Sequence, residues 1–185
     1  SNHETAAGVT AFDLLITGGH VLDGTGAPPM LADVGVRDGV IAALAPGLAE
    51  RSAAAEVIDA SGRFVTPGFV DVHTHFDGQA TWDELLDPVT GHGVTTVVMG
   101  NCGVGFAPVR PGHEAALIEL MEGVEDIPGT ALTEGIEWRW ESFAGYLDVL
   151  DTLRWSVDVG THVAHGPVRT YVRDGAKVAF HTDPT

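Results

Sequence analysis

The sequence has very little cysteine and lysine: Cys102 and Lys177 are the single representatives of their types among 185 residues. One cysteine excludes a disulfide within the chain and is typical of proteins from a reducing compartment. No apolar run approaches the ~18 residues of a membrane-spanning helix. The polar start also lacks the basic and apolar regions of a signal peptide. We therefore expect a soluble, cytoplasmic protein that does not contact a membrane.

Positive charge is also scarce. Nine basic residues stand against 26 acidic ones, which gives a formal net charge of -17. Such a chain repels phosphate backbones and anionic lipid surfaces, so nucleic acid is excluded as an expected partner. With 44% hydrophobic residues, the chain has enough apolar side chains to form a substantial core.

The first 66 residues divide into a tail and a strand-rich segment. Residues 1–11 are small and polar without periodicity, which is typical of a disordered tail. In residues 12–66, short β-type runs alternate with turn signals, and no helical pattern occurs. We predict a turn at Gly18-Gly19, and a hairpin at Asp38-Gly39 because this dipeptide favours tight hairpin turns.

A strand ending in two histidines follows, with the sequence Pro67-Gly68-Phe69-Val70-Asp71-Val72-His73-Thr74-His75. We predict that this strand is buried. Side chains two apart on a strand face the same side, with Cα atoms roughly 6.5 Å apart, so His73 and His75 can share one metal ion. Taken alone, a His-x-His pair is more often an ordinary polar strand end. Asp71 lies on the same strand face and can orient the histidines through hydrogen bonds, without itself binding the metal ion.

A second β-branched run, Val94–Met99, ends in Gly100-Asn101-Cys102-Gly103. The spacing from His75 accommodates one strand-helix-strand unit of a parallel sheet. In such a unit the carboxyl ends of both strands lie at one edge, so Cys102 can approach His73 and His75. Imidazole and thiolate together suit zinc. The alternative is that Cys102 is a small buried apolar residue.

The rest of the chain alternates helices with a further strand. Thr81 and Glu84 have the spacing of a capping box and predict a helix start. A helix is expected after Pro111, with Glu119, Glu122 and Glu125 on its solvated face. The remaining predictions are a Gly- and Pro-marked excursion over 127–140, a helix over 141–153 and a third strand over 155–161. Trp138 and Trp140 in the excursion either line a substrate cleft or anchor packing.

Four segments carry a family resemblance: P-G-F-V-D-V-H-T-H-F-D-G, G-V-T-T-V-V-M-G-N-C-G-V-G-F-A-P-V-R-P, L-M-E-G-V-E-D-I-P-G-T-A-L and W-R-W-E-S-F-A-G-Y-L-D-V-L. They closely resemble the N-acyl-D-amino-acid deacylases (D-aminoacylases) of the amidohydrolase superfamily, and the likeness runs from about Phe12 to Tyr171. It implies an α/β protein: residues 12–66 as part of a small β-sandwich, and residues 67–185 as the first three or so β/α units of a TIM-like barrel.

The resemblance also implies chemistry. One or two zinc ions would be held by His73, His75 and Cys102, with the cysteine in place of the carbamylated lysine of other superfamily members. The ions would activate water for cleavage of the amide bond of small N-acyl-D-amino acids. The other ligands and the general base are expected downstream of this chain. His165 resembles the histidine of the family's H-G-x-x-R element, and we expect it, with Trp138, to be at most near the substrate.

A closed barrel needs eight strands and about 250 residues, so the chain resembles the N-terminal portion of such an enzyme. We expect the isolated chain to have little activity and to associate with the remaining barrel polypeptide or with itself. One alternative is a non-catalytic zinc-binding or subunit-pairing module derived from an amidohydrolase. Another is a dihydropyrimidinase-like enzyme with a carbamylated lysine, which the single Lys177 disfavours.

Overall fold

A computed structural model describes residues 11–125 and 127–173 of the chain. Two compact units are present, one ending at Pro67 and the other beginning at Gly68. The predicted disordered tail lies outside the described residues except for Ala11, as does the segment 174–185. Among the described residues, no helix combines the length and the apolar character needed to cross a bilayer.

The first unit is built around one five-stranded sheet. Its strands are β1 (Phe12–Val21), β2 (Met30–Arg37), β3 (Val40–Ala45), β4 (Ala54–Asp59) and β5 (Phe64–Val65). The order is β3-β2-β1-β4, with β5 also paired to β1. The two hairpin pairings are antiparallel, whereas β4 and β5 run parallel to β1. The described part of residues 12–66 contains no helix, which agrees with the prediction.

The two glycine-containing turns predicted in this unit had different outcomes. Asp38 and Gly39 have φ values of 52° and 73°, so the predicted hairpin between β2 and β3 is confirmed. The predicted turn at Gly18-Gly19 is wrong, because β1 continues through it with a register irregularity against β2. The backbone N–H of Gly18 donates to Asp33 Oδ1 at 2.8 Å, so the carboxylate satisfies an amide at the irregularity.

The second unit contains a three-stranded parallel sheet. Its strands are β6 (Phe69–Asp71), β7 (Val94–Met99) and β8 (Asp158–Thr161), in the order β6-β7-β8. The sheet is accompanied by the helices α1 (Glu114–Glu125), α2 (Gly129–Gly135), α3 (Phe143–Asp151) and α4 (His165–Val172). Because all three strands are parallel, their carboxyl ends lie at one edge of the sheet.

Apolar side chains at helical spacing pack α1 and α3 into the core of this unit. Leu117 and Met121 of α1 are buried, and so are Tyr146 and Leu150 of α3. Ser142 caps α3, since its hydroxyl accepts the backbone N–H of Gly145. The predicted helices after Pro111 and over 141–153 are therefore confirmed. The excursion over 127–140 contains α2, which the sequence did not predict.

Two further local predictions for this unit are wrong. Thr81 does not start a helix: its hydroxyl donates to the carbonyl oxygen of Gly78 and closes a short 3₁₀ turn over Gln79–Thr81. The strand before the histidines was predicted to be buried, but it is short and exposed: Phe69 is 59% and Val70 58% exposed. Within the described residues β6 pairs only with β7, so its other backbone edge is open.

The core of the second unit predicts a stability difference. Met99 is fully buried at the end of β7, whereas Leu147 of α3 is 42% exposed. We expect Met99→Ala to lower the free energy of unfolding by about 2–5 kcal/mol, because it leaves a cavity in packed surroundings. Leu147→Ala, the matched control, should cost less than about 1 kcal/mol. Urea unfolding followed by circular dichroism measures both, and equal losses would contradict the described packing.

Candidate metal centre

His73 and His75 follow β6, and Cys102 lies in a 3₁₀ turn over Asn101–Gly103 directly after β7. The parallel pairing of the two strands brings these residues to the same edge of the sheet. Donor atoms of the three side chains all lie within 4.8 Å of one another. His73 Nε2 is 3.1 Å from Cys102 Sγ. The structure thus brings together the three residues that the sequence pointed to.

Asn101 fastens the two strand ends to each other. Its side-chain amide donates to the carbonyl oxygens of Val98, at 2.8 Å, and Thr74, at 3.3 Å. Thr74, between the two histidines, donates both its backbone N–H and its hydroxyl to the same Val98 oxygen. Asn101 was not predicted as a site residue. Its signal is a carboxamide directly before the cysteine in a glycine-flanked turn, where side chains commonly satisfy free backbone groups.

The turn that carries Cys102 is left-handed at three positions. Gly100, Cys102 and Gly103 have φ values of 81°, 51° and 75°. A Cβ atom on Gly100 would lie 2.4 Å from the carbonyl oxygen of His162, so glycine is required there for close approach as well as for its φ. A non-glycine residue in this region is uncommon and costs conformational energy. The result is an exposed thiol presented toward His73.

His75 is the more enclosed of the two histidines. Its Nε2 lies 3.1 Å from Glu125 Oε1, and its side chain is 10% exposed. Its Nδ1 is buried without a hydrogen-bond partner among the described residues. Burial lowers the pKa of His75, an effect that Glu125 opposes and His73 reinforces. A lowered pKa favours the neutral imidazole, which is the form that binds metal ions.

This contact corrects one expectation. Glu125 was predicted to lie on the solvated face of its helix, but its side chain is only 28% exposed and meets His75. Helical spacing placed Glu125 correctly on α1. The pattern could not reveal a partner on a distant segment.

Two aspartates lie beside the histidines. Asp71 Oδ1 accepts the backbone N–H of His73 at 3.1 Å, so this carboxylate positions the main chain rather than an imidazole ring. Asp77 is 2% exposed, and the hydroxyl of Tyr146 donates to its carbonyl oxygen at 2.8 Å. Burial raises the pKa of the Asp77 carboxyl to about 7, opposed by the backbone N–H of Gly100. Asp77 was not predicted as a site residue.

His165 and Trp138 occupy different surroundings. His165 begins α4, and its ring packs on Gly103, where a Cβ atom would lie 2.3 Å from His165 Nε2. Trp138 packs edge-on against Phe106 and beside Trp140, with ring centroids 5.7 and 5.5 Å apart. His165 therefore lies next to the cysteine turn, and Trp138 belongs to an aromatic cluster. Proximity of either residue to a substrate stays a prediction.

The donor set fits a zinc ion. Two imidazoles and one thiolate are ligands that zinc prefers, and they are presented at an accessible sheet edge. The buried Nδ1 of His75 has no hydrogen-bond partner among the described residues, and burial lowers the pKa of the ring. Both features fit a site that binds a cation. Fold and cluster together define a mixed α/β protein with a candidate metal centre at the carboxyl edge of a parallel sheet.

Comparison with known proteins assigns the family. The sequence model described as "Amidohydrolase family" matches residues 56–173, which is more than half of the chain. The chain therefore belongs to the amidohydrolase family.

D-aminoacylase from Alcaligenes xylosoxydans xylosoxydans is 38% identical over 161 residues, covering 87% of this chain and 31% of the relative. A solved structure of D-aminoacylase, described in terms of its binuclear metal centre, superimposes on this chain with a TM-score of 0.68 at 38% identity. The match covers 87% of this chain and 31% of the D-aminoacylase chain. The structure of N-acyl-D-glutamate deacylase from Bordetella bronchiseptica, complexed with zinc and a phosphonate inhibitor, superimposes with a TM-score of 0.62 at 39% identity. The match covers 85% of this chain and 30% of the deacylase. The predicted resemblance is confirmed, and the chain spans under a third of each of these relatives.

The geometry of the cysteine turn predicts that alanine substitutions at two glycines lower the free energy of unfolding by different amounts. Gly100 and Gly112 both have positive φ, but a Cβ atom on Gly112 would meet nothing within 4 Å. Gly112→Ala should therefore cost only the conformational penalty of about 1–2 kcal/mol. We expect Gly100→Ala to cost more than this, because the new methyl overlaps the backbone of His162. Unfolding free energies test the order, and equal losses for the two variants would contradict the described approach of Gly100 to His162.

Proposed function

We propose that this chain belongs to a zinc-dependent hydrolase that cleaves the amide bond of N-acyl-D-amino acids. The observation that carries the proposal is the convergence of His73, His75 and Cys102 at the carboxyl edge of a parallel sheet. Support comes from the relatives, because D-aminoacylase is described with a binuclear metal centre and N-acyl-D-glutamate deacylase with bound zinc. The substrate would be a small molecule.

In this proposal the second unit forms the first part of a TIM-like barrel, within residues 67–185. Its β6, β7 and β8 are the first three barrel strands, and the metal centre lies at their carboxyl ends, where barrel enzymes have their active sites. The strands of the first unit, within residues 12–66, would form part of a small β-sandwich.

The three donor residues would hold one or two zinc ions, with Cys102 bridging or holding the second. Bound zinc would polarise the amide carbonyl of the substrate and lower the pKa of a coordinated water to about 7. His73 and His75 would contribute imidazole nitrogens as ligands, and Asp71 accepts the backbone N–H of His73. Asn101 keeps the cysteine turn against the histidine segment. The ring of His165 packs on Gly103, and we infer that it would lie near a substrate that approaches Cys102.

Other parts of the machinery would come from further polypeptide. Three donors are too few for two four-coordinate ions, and a general base for the attacking water is needed as well. Among the described residues, β6 and β8 are the edges of the parallel sheet, and Phe69 and Val70 are exposed. Open strand edges beside apolar side chains pair with more chain. We propose that the remaining barrel polypeptide, or self-association, occupies these edges.

Metal analysis tests the centre. We expect the purified chain to bind zinc, and His73→Ala or Cys102→Ala to weaken binding at least about tenfold, because each removes a donor. His92→Ala is the control, since His92 is an exposed residue at the end of a separate 3₁₀ turn. Isothermal titration with zinc gives the affinities. Undiminished binding in both donor variants would contradict the ligand assignment.

The activity requires a separate assay. We expect the isolated chain to release almost no amino acid from N-acyl-D-amino acids with zinc present. Hydrolysis should appear when the complementary part of D-aminoacylase is co-expressed, and only with the D-enantiomers. Light scattering of the isolated chain should show association. A zinc-loaded monomer that hydrolyses these substrates by itself would contradict the need for further polypeptide.

A second function is supported by the small number of donors in the described cluster. Three side chains suffice to hold one structural or partner-bridged zinc ion. In that case the chain would be a non-catalytic zinc-binding or subunit-pairing module. Zinc binding without hydrolysis of either enantiomer, alone or in the co-expressed complex, would favour the module over the enzyme.

A further inference from the structure

We propose that a clamp formed by Arg110, Glu141 and Tyr171 positions the turn that carries Cys102, by holding α4 against that turn. The clamp residues are positioning residues, since none of them belongs to the donor cluster. They come from three remote segments: the loop after the turn, the segment before α3 and the last turn of α4. The inference builds on the proposed function, because the turn is part of the same zinc site.

The clamp joins its three segments through hydrogen bonds and one stacked contact. The Nε–H of Arg110 donates to the carbonyl oxygen of Tyr171 at 2.8 Å. The guanidinium carbon lies 4.5 Å from the centroid of the Tyr171 ring, within the range of a cation–π contact. The Tyr171 hydroxyl donates to Glu141 Oε1 at 2.7 Å. The backbone N–H of Val109 donates to the carbonyl oxygen of Glu141 at 2.8 Å, so the loop is tied to both other segments.

The far end of α4 is a suitable place for a guanidinium. Tyr171 lies in the last turn of the helix, where carbonyl groups have no donor within the helix itself. A cation there satisfies one such carbonyl and interacts favourably with the negative end of the helix dipole. Because Arg110 belongs to the loop after the cysteine turn and not to α4, the same hydrogen bond fixes the end of the helix relative to that loop.

The near end of α4 packs directly on the cysteine turn. A Cβ atom on Gly166 would lie 2.5 Å from the carbonyl oxygen of Gly103 and 2.9 Å from the side chain of Leu120. The ring of His165 also packs on Gly103. Backbone hydrogen bonds make this helix of 8 residues, about 12 Å long, a stiff connection. A restraint at Tyr171 is therefore transmitted to the contact at Gly103.

The turn itself is a segment that needs external support. Cys102 has a φ of 51°, and a non-glycine residue in this region persists only where the surrounding structure holds it. The backbone N–H of Val104 closes the turn by donating to the carbonyl oxygen of Asn101 at 3.0 Å. Gly103 links Cys102 to Val104, so α4 contacts the turn where the chain leaves it. The clamp thus acts on Cys102 through α4 and Gly103.

Amide hydrogen exchange of the metal-free chain tests the proposal. The exchange rate of the Val104 amide reports opening of the cysteine turn, because this N–H closes the turn. The reference is the amide of Ile136, a buried residue whose N–H donates to the carbonyl oxygen of Leu132 at 3.0 Å. Its exchange rate reports opening elsewhere in the second unit.

Three variants alter the clamp to different degrees. Arg110→Ala removes the donor and the stacked guanidinium, whereas Arg110→Lys keeps a cationic donor. Tyr171→Phe removes only the hydroxyl that donates to Glu141. Arg139→Ala is the matched control, because it removes the same charge from a side chain that is 49% exposed and lies outside the clamp.

We expect exchange at Val104 to accelerate several-fold in Arg110→Ala and less in Arg110→Lys and Tyr171→Phe. Arg139→Ala should leave it unchanged, and the Ile136 rate should change much less in every variant. Equal acceleration at both amides would show a general loss of stability, and an unchanged Val104 rate in Arg110→Ala would show that the turn does not depend on the clamp. Either result would overturn the proposal.

Zinc titration tests the connection to the donor residue. Arg110→Ala should lower zinc affinity about tenfold in the chain that keeps Cys102. In a Cys102→Ala background it should have no further effect, because the clamp acts through that residue. Equal losses in both backgrounds would contradict the positioning role. A starting protein that binds no zinc would contradict the proposed function instead, and the exchange rates, read without metal or substrate, would still decide the role of the clamp.

Discussion

The site depends on one structural constraint, the parallel pairing of β6 with β7. Parallel strands end at the same edge, and the hydrogen bonds that converge on the carbonyl oxygen of Val98 hold the two ends in register. Thr74 approaches this oxygen from the histidine segment and Asn101 from the cysteine turn. Without that convergence His73, His75 and Cys102 would be surface residues on separate loops.

Tight packing behind the donors restricts how they can move. The cysteine turn has room only for glycine at Gly100, and Gly103 lies against the ring of His165. Beneath it, Tyr146 ties Asp77 to α3 through a buried hydrogen bond. A buried carboxyl with a raised pKa is costly to ionise, and such groups persist where the surrounding structure fixes them. The donors therefore stand on closely packed surroundings.

Membership in the amidohydrolase family directs attention to the metal ligands that this arrangement can supply. The described residues contain no lysine, and Lys177 lies beyond them, so a metal ion held at this edge, as proposed, would be bound through imidazole and thiolate groups. A thiolate is softer than an oxygen ligand and favours zinc over magnesium or calcium. The carboxylate of Glu125 lies 3.1 Å from His75 Nε2, so the end of α1 also approaches the cluster.

The sequence by itself determined the features that depend on neighbours along the chain. These are the His-x-His spacing, the Asp38-Gly39 hairpin, the helix predicted over 141–153 and the strand with the cysteine after it. The local pattern misled at two positions: the carboxylate of Asp33, 15 residues away, kept Gly18 inside a strand, and the hydroxyl of Thr81 bonded three residues back to Gly78 and closed a turn instead of capping a helix. Only the tertiary structure placed Asn101 between the strand ends and Glu125 against His75. Hydrogen bonds between remote segments leave no periodicity in a sequence, because their partners are chosen by the fold.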